Sequence, residues 1–107
     1  MAKFTLQDLE KRIETRAKAS ADVSYTRKLL DKGVAHCAKK MGEEAVETVI
    51  AAAAENNERL IAESGDLLYH LLIVLHARGV TLAEVEAALA KRQAMSGLEE
   101  KSSRPGE

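Results

Sequence analysis

Residues 63–75 have the sequence Glu63-Ser64-Gly65-Asp66-Leu67-Leu68-Tyr69-His70-Leu71-Leu72-Ile73-Val74-Leu75. From Leu67 to Leu75 the stretch is hydrophobic on nearly every side of a helix, which predicts burial all round. We place it in a long helix over about residues 58–78 that Gly79 ends. A chain of 107 residues has too few other elements to enclose such a helix. The stretch therefore predicts a helical core that further copies of the chain complete.

The other predicted helices are marked by capping residues and apolar spacing. Thr5 with Asp8 and Thr81 with Glu84 have the spacing of capping boxes, which predicts the starts of the first and last helices. A short helix is expected from Ser24 to a left-handed cap at Gly33. No strand alternation, internal repeat or long linker occurs. The sequence predicts an all-α bundle of about four helices, completed by oligomerisation, with a domain over residues 1–97 and a polar C-terminal tail over residues 98–107.

A further long helix, expected over about residues 34–54, has apolar residues on two sides. Its main apolar face is predicted to comprise Val34, Ala38, Met41, Ala45, Val49 and Ala52. A second patch comprises Val46, Ile50 and Ala53. A helix with two apolar faces needs two packing partners, which again favours an oligomer.

Composition narrows the possible partners and the compartment. The formal net charge is −1, so we expect no bulk attraction to nucleic acid or to an anionic membrane. Cys37 is the single cysteine, which excludes an intrachain disulfide, and we interpret it as a small buried hydrophobe. The N-terminus lacks the apolar segment of a secretion signal. The apolar run is shorter than the roughly 20 residues that cross a bilayer. We therefore predict a cytoplasmic protein.

Two acidic steps lie on the two long central helices. Glu44 and Glu47 are three residues apart, as are Glu63 and Asp66, so each pair shares a helix face. Residues 48–62 between the steps are enough to finish one helix, turn, and return beside it. Antiparallel packing would then bring four carboxylates together. Such an oxygen-only ligand set suits Mg²⁺ or Mn²⁺ rather than Zn²⁺.

Each acidic step by itself has a simpler interpretation, because a Glu-x-x-Glu step on a helix is usually a solvated surface. We favour the metal site because the second step adjoins the most hydrophobic segment of the chain, and buried acids need a partner. Lys40 can pair with Glu44 or contact a phosphate. No glycine-rich phosphate loop occurs. His70 is interpreted as a hydrogen-bonded core residue rather than as a ligand or base.

The sequence resembles a known family at these residues. Glu44-x-x-Glu47 and Glu63-x-x-Asp66 are similar to the divalent-metal signature of the all-α nucleoside triphosphate pyrophosphohydrolases, the MazG-like superfamily. Within it, the chain resembles the phosphoribosyl-ATP pyrophosphatases of histidine biosynthesis. Four stretches carry that closer resemblance: residues 24–30, 38–47, 66–72 and the tail segment 96–104. Gly65 departs from the alanine expected before the aspartate, which is an exchange of one small residue for another.

The resemblance implies Mg²⁺-dependent hydrolysis of the α–β phosphoanhydride of phosphoribosyl-ATP to phosphoribosyl-AMP and pyrophosphate, with Mn²⁺ as an alternative ion. It also implies a free-standing enzyme, because no cyclohydrolase sequence precedes the domain. The metal ligands would be Glu44, Glu47, Glu63 and Asp66. The catalytic candidates are Glu43, as a further ligand or a water-orienting acid, and Glu47. The substrate contacts would be Ser24, Tyr25, Arg27, Lys28, Lys39, Lys40 and Arg104.

Two other functions are compatible with the same residues. A house-cleaning pyrophosphohydrolase of the same fold would share the acidic steps and act on damaged or ordinary nucleoside triphosphates. A non-catalytic oligomeric helical adaptor would carry them as a solvated face. The sequence at residues 24–26 and the tail argue against the first alternative, whereas Mg²⁺ binding would exclude the second.

Overall fold

The computed structural model describes residues 2–94, and helices are the regular elements of that part of the chain. They are α1 (Leu6–Ala17), α2 (Tyr25–Asp31), α3 (Val34–Ala54), α4 (Asn57–Ala77) and α5 (Leu82–Gln93). The predicted all-α class is confirmed, with four long helices and one short one. The predicted domain boundary at residue 97 and the tail that contains Arg104 lie outside the described residues.

The helix starts follow from local hydrogen bonds. The Thr5 hydroxyl accepts from the Asp8 amide while the Asp8 carboxylate accepts from the Thr5 amide, so the predicted capping box is present. Thr81 and Glu84 form the same arrangement at the start of α5. These bonds satisfy amide donors that the first helical turn leaves without partners. Both predicted starts are confirmed.

The core draws on all five helices. Its buried hydrophobic residues are Ile13, Leu29, Cys37, Leu72, Ile73 and Leu82. Cys37 is 1% exposed and its thiol donates to the Leu29 carbonyl at 3.3 Å. The α5 start is attached to α1 by the Glu10 carboxylate, which accepts from the Leu82 amide at 2.7 Å. The most extensive packing is between α3 and α4, which run antiparallel after a tight turn at Glu55 and Asn56.

The face of α3 that packs on α4 coincides only in part with the predicted main apolar face. Val34, Val49 and Ala52 are exposed, Val49 by 65% of its surface. Cys37 and Ala51 are the buried residues, and the face toward α4 follows a spacing of three and four residues: Cys37, Met41, Glu44, Thr48 and Ala51. Hydrophobicity alone misplaced this face because two of its five positions are polar side chains that contact polar groups of α4.

A single chain does not enclose the apolar stretch of α4, as the sequence predicted: Leu72 and Ile73 are buried, but Leu68 is 38% exposed. Its cover by further copies of the chain stays a prediction. By length and composition alone, α4 is long and apolar enough to cross a membrane, and 22% of its most apolar window is buried. The core helix of a soluble protein passes the same test, and α4 carries Glu63 and His70 into the chain's interior.

Gly33 joins α2 to α3 with a φ of 93°, in the left-handed region that side chains with a Cβ rarely adopt. We expect Gly33→Ala to lower the free energy of unfolding by about 1 kcal/mol. Alanine reduces the conformational entropy of the unfolded chain, which stabilises the fold, but the backbone strain at a φ of 93° costs more. Urea denaturation followed by circular dichroism measures this change.

Gly42 provides the matched control, because it lies inside α3 with nothing within 4 Å of an added Cβ. Gly42→Ala should raise the free energy of unfolding by roughly 0.5–1 kcal/mol. Equal effects of the two substitutions would contradict the assigned role of Gly33.

Candidate metal centre

Carboxylates from two helices converge where α3 and α4 face each other. One oxygen from each of Glu44, Glu63 and Asp66 lies within 4.8 Å of the others. The Thr48 hydroxyl is 2.8 Å from the Glu44 carbonyl and 3.1 Å from the Glu63 carbonyl, so one donor connects the backbones of the two acidic steps. This contact fixes the register that places the steps side by side. The structure therefore brings together three of the four predicted metal ligands as a compact group.

The burial of this group indicates what it can bind. Glu63 is 6% exposed, and Glu44 is partly buried. Oε2 of each is buried and has no hydrogen-bond partner among the described residues. A carboxylate oxygen removed from water without a partner is costly, and a cation compensates that cost. Three oxygen ligands in one place fit a hard ion such as Mg²⁺ or Mn²⁺.

Glu47, the fourth predicted ligand, lies at the exposed edge of the group. Its carboxyl is within hydrogen-bonding reach of Glu44 and Glu63, and the Glu44 hydrogen bond and charge raise the pKa of Glu47. Burial, followed by the charge of Glu47, raises the pKa of Glu63. Repulsion between neighbouring negative charges contributes to both pKa shifts, in addition to the hydrogen bond at Glu47 and the burial of Glu63. Glu47 can therefore act either as a ligand or as a proton acceptor beside the other three carboxylates.

Arg59 contacts this carboxylate cluster, although it was not among the predicted site residues. Its Nη2 donates to Glu63 Oε1 at 2.7 Å, and its Nε lies 3.8 Å from Glu55 Oε1. A cavity of about 160 Å³ is lined by Glu47, Ile50, Glu55, Arg59 and Glu63. The sequence signal was the four-residue spacing from Arg59 to Glu63, which places the two side chains on one face of α4.

Lys40 and Tyr25 lie beside the other end of the group. Lys40 Nζ is 3.3 Å from Glu43 Oε1, and this hydrogen bond raises the pKa of Lys40, with smaller contributions from the charges of Tyr25 and Glu44. The predicted pairing partner within α3 was Glu44, whereas the structure pairs Lys40 with Glu43. Glu43 therefore pairs with Lys40 and is not part of the cluster formed by Glu44, Glu63 and Asp66. Lys39 is exposed on the same turn.

Two of the predicted substrate residues on α2 instead hold α2 against α1. The Ser24 hydroxyl accepts from the Arg27 amide and donates to the Arg16 carbonyl at 2.9 Å. The Arg27 guanidinium donates to the Ala17 carbonyl at 3.0 Å and pairs with Asp31 at 2.8 Å. Arg27 lines a separate cavity of about 660 Å³ near the ends of α1 and α4. The structure does not bring these side chains to the carboxylates, and Lys28 is exposed.

His70 lies one turn beyond Asp66 and is 7% exposed. Its Nδ1 donates to the Asp66 carbonyl at 2.8 Å, so the interpretation as a hydrogen-bonded core histidine is confirmed. The rings of Tyr69 and Tyr25 meet it edge-on, with centroids 5.2 and 6.5 Å away. Its Nε2 is buried without a partner among the described residues. Tyr69 also shares a hydrogen bond of 2.7 Å with Thr26, which joins α4 to α2.

The raised pKa values of Glu47 and Glu63 predict how stability depends on pH. A carboxyl whose pKa is higher in the folded state binds its proton more tightly there, so its destabilising effect is fully present above the folded pKa. That effect is lost as the pH falls through the raised pKa toward 4.5, the ordinary pKa of a glutamate. With EDTA present, we expect acidification from pH 7 to pH 5 to raise the melting temperature of the wild type relative to Glu47→Gln. Thermal denaturation of both proteins measures the difference, and a relative loss of wild-type stability would contradict the assigned repulsion.

Comparison with known proteins identifies the family. The family model described as phosphoribosyl-ATP pyrophosphohydrolase matches residues 6–93. Phosphoribosyl-ATP pyrophosphatase 1 of Bradyrhizobium diazoefficiens is 64% identical over 104 residues, which are 97% of this chain and 98% of the relative. The phosphoribosyl-ATP pyrophosphatase of Nitrobacter winogradskyi is 60% identical over 97% of this chain and 90% of its own length. That of Agrobacterium fabrum is 50% identical over 98% of both chains.

The match covers every described helix and both acidic steps, and the relatives extend over nearly the whole chain. The resemblance seen in the sequence is confirmed, and the chain belongs to the phosphoribosyl-ATP pyrophosphohydrolase family.

Proposed function

We propose that this chain hydrolyses phosphoribosyl-ATP to phosphoribosyl-AMP and pyrophosphate in histidine biosynthesis. The observation that carries the proposal is the convergence of Glu44, Glu63 and Asp66 in a member of this family, where Glu44 and Glu63 each have a buried carboxylate oxygen without a hydrogen-bond partner among the described residues. Such a site suits a substrate that brings several negative charges and needs a cation to neutralise them. The names of the relatives support phosphoribosyl-ATP as that substrate.

The proposed metal ligands are Glu44, Glu47, Glu63 and Asp66, with Mg²⁺ as the ion and Mn²⁺ as an alternative. When bound, the cation supplies positive charge that neutralises the phosphate oxygens and the leaving pyrophosphate. Thr48 contributes by holding the two acidic steps in register through the Glu44 and Glu63 carbonyls.

The less buried acids are proposed to orient the attacking water and to accept its proton. In the proposed reaction the water oxygen bonds to phosphorus, the bridging anhydride oxygen leaves with pyrophosphate, and a carboxylate accepts the water proton. Glu47 is exposed and has a raised pKa, which suits a proton acceptor at the edge of the site. Glu43 is the other proposed acid, and its pairing with Lys40 supports a role in orienting water rather than in binding the ion.

The proposed substrate contacts differ in what supports them. Tyr25, Lys39 and Lys40 lie on the α2 and α3 side of the carboxylates, and Lys40 lies near both Glu44 and Tyr25. Ser24 and Arg27 would assist by fixing α2 on α1, where their hydrogen bonds lie. Lys28 and Arg104 are proposed from the family resemblance alone.

The apolar surface supports a homodimer or a higher homo-oligomer. Val46, Val49 and Ile50 of α3 and Ile61 of α4 are each at least half exposed. Burial of such residues against a second copy stabilises an assembly by roughly 25 cal/mol per Å² of apolar surface. We propose this assembly in the cytoplasm, with the nucleotide as the small-molecule partner and no nucleic acid or membrane partner.

Glu47→Gln tests the enzymatic role directly. Removing the charge while keeping the shape should lower Mg²⁺-dependent pyrophosphate formation from phosphoribosyl-ATP by more than about 100-fold. Glu86→Gln, on the exposed face of α5, is the control and should retain full activity.

The same assay compares phosphoribosyl-ATP with ATP and with oxidised nucleoside triphosphates. Near-normal activity of Glu47→Gln at saturating Mg²⁺ would contradict its role. Preference for an ordinary or damaged triphosphate would replace the proposed substrate with that of a house-cleaning enzyme. Absence of Mg²⁺ binding would favour an adaptor.

Val49→Lys tests the proposed assembly. A lysine in the exposed apolar patch of α3 should reduce the mass measured by size-exclusion chromatography with light scattering, because the charge would lose its hydration at the interface. Val23→Lys is the control, since Val23 is 81% exposed in the loop before α2. A wild-type chain of monomeric mass would contradict the proposal.

A further inference from the structure

The carboxylate group lies in a polar stripe with chemically different ends. Arg59, Glu63, Asp66 and His70 follow one another along α4 at spacings of four, three and four residues, which places them on one face of the helix. Arg59 and His70 are separated by roughly 16 Å along the helix axis, at 1.5 Å per residue. The acids therefore lie between a guanidinium at one end and an imidazole at the other.

The Arg59 end carries one guanidinium among three carboxylates, those of Glu47, Glu55 and Glu63, so it can hold an anion when a bound cation offsets their charge. The guanidinium occupies the wall of the 160 Å³ cavity, and Nη2 and Nε are engaged by Glu63 and Glu55. Its Nη1 makes no hydrogen bond to the described part of the chain. Glu63 uses Oε1 for Arg59 and keeps Oε2 free of partners, so Glu63 can bind a cation while it still holds the guanidinium. A planar guanidinium is well matched to phosphate oxygens.

The His70 end carries aromatic surface instead. Tyr25 is 52% exposed, and its ring meets the His70 ring edge-on at 6.5 Å. Tyr25 also lies near Lys40. An exposed aromatic ring beside one lysine suits a nucleoside monophosphate, which combines flat or sugar-like apolar surface with a single phosphate.

We propose that this asymmetry sets the direction in which the substrate lies: Arg59 binds the pyrophosphate portion, and the Tyr25 end binds the nucleoside monophosphate portion. Cleavage between the α and β phosphates would then occur over the carboxylates in the middle. Arg59 becomes a substrate-binding residue for the leaving group, beyond its ion pair with Glu63. This inference rests on the proposed function for the identity of the nucleotide, but the direction is testable with pyrophosphate and a nucleoside monophosphate alone.

The test measures binding of inorganic pyrophosphate and of AMP separately by isothermal titration calorimetry, at saturating Mg²⁺. Arg59→Gln should weaken pyrophosphate binding about tenfold or more, the scale of a lost hydrogen bond to a charged group, and change AMP binding less than about twofold. Tyr25→Ala should do the reverse. Arg59→Lys, which keeps the charge without the planar fork, should fall between wild type and Arg59→Gln for pyrophosphate.

Arg78→Gln, at the opposite end of α4, is the matched control and should change neither affinity. Circular dichroism and Mg²⁺ titration of each variant verify that the fold and the metal site are intact. Loss of AMP binding alone in Arg59→Gln would reverse the direction, and equal losses of both ligands or no loss would overturn the assignment.

Turnover of phosphoribosyl-ATP by the wild type is measured alongside. If the wild type does not turn over phosphoribosyl-ATP but the expected binding asymmetry is found, the proposed substrate is rejected and the proposed direction of binding is retained. Normal turnover without the asymmetry would remove the inference alone.

Discussion

The antiparallel register of α3 against α4 is the constraint on which the site depends. A helix advances 5.4 Å per turn, so a slip of one turn would separate the two acidic steps completely. The Thr48 hydroxyl lies between the Glu44 and Glu63 carbonyls and opposes such a slip. Mutual repulsion of the carboxylates, by contrast, destabilises this register because it pushes the two acidic steps apart. The packed core around Leu72 and Ile73 must therefore supply the free energy that holds like charges together.

The same arrangement explains why polar residues occupy the interior of a small helical protein. Glu44, Glu63 and His70 are partly or wholly buried, yet each retains an atom without a partner among the described residues. Stability alone would favour apolar side chains at these positions, because unpaired buried polar groups are costly. Their presence is understandable if ligands provide the missing partners.

Local signals in the sequence predicted the helices and the acidic group well. Capping boxes at Thr5 and Thr81 involve residues three apart, so short-range chemistry determines them, and the acidic steps repeat at helical spacing. The predicted main apolar face of α3 included Val49, which is exposed, whereas the face that packs on α4 contains the polar residues Glu44 and Thr48. Arg59 was missed because its importance depends on Glu63 being buried, a property of the tertiary fold. The structural duties of Ser24 and Arg27 likewise depend on α1 carbonyls distant in sequence.

The enclosure of Cys37 has a practical consequence. Thiols react with alkylating reagents as thiolates, and burial raises the pKa of this thiol while the core excludes reagent. Since the chain has one cysteine, every alkylation event reports the same location, on the first turn of α3. The rate of labelling, followed by mass spectrometry, therefore measures how often α2 separates transiently from α3. No engineered probe is needed.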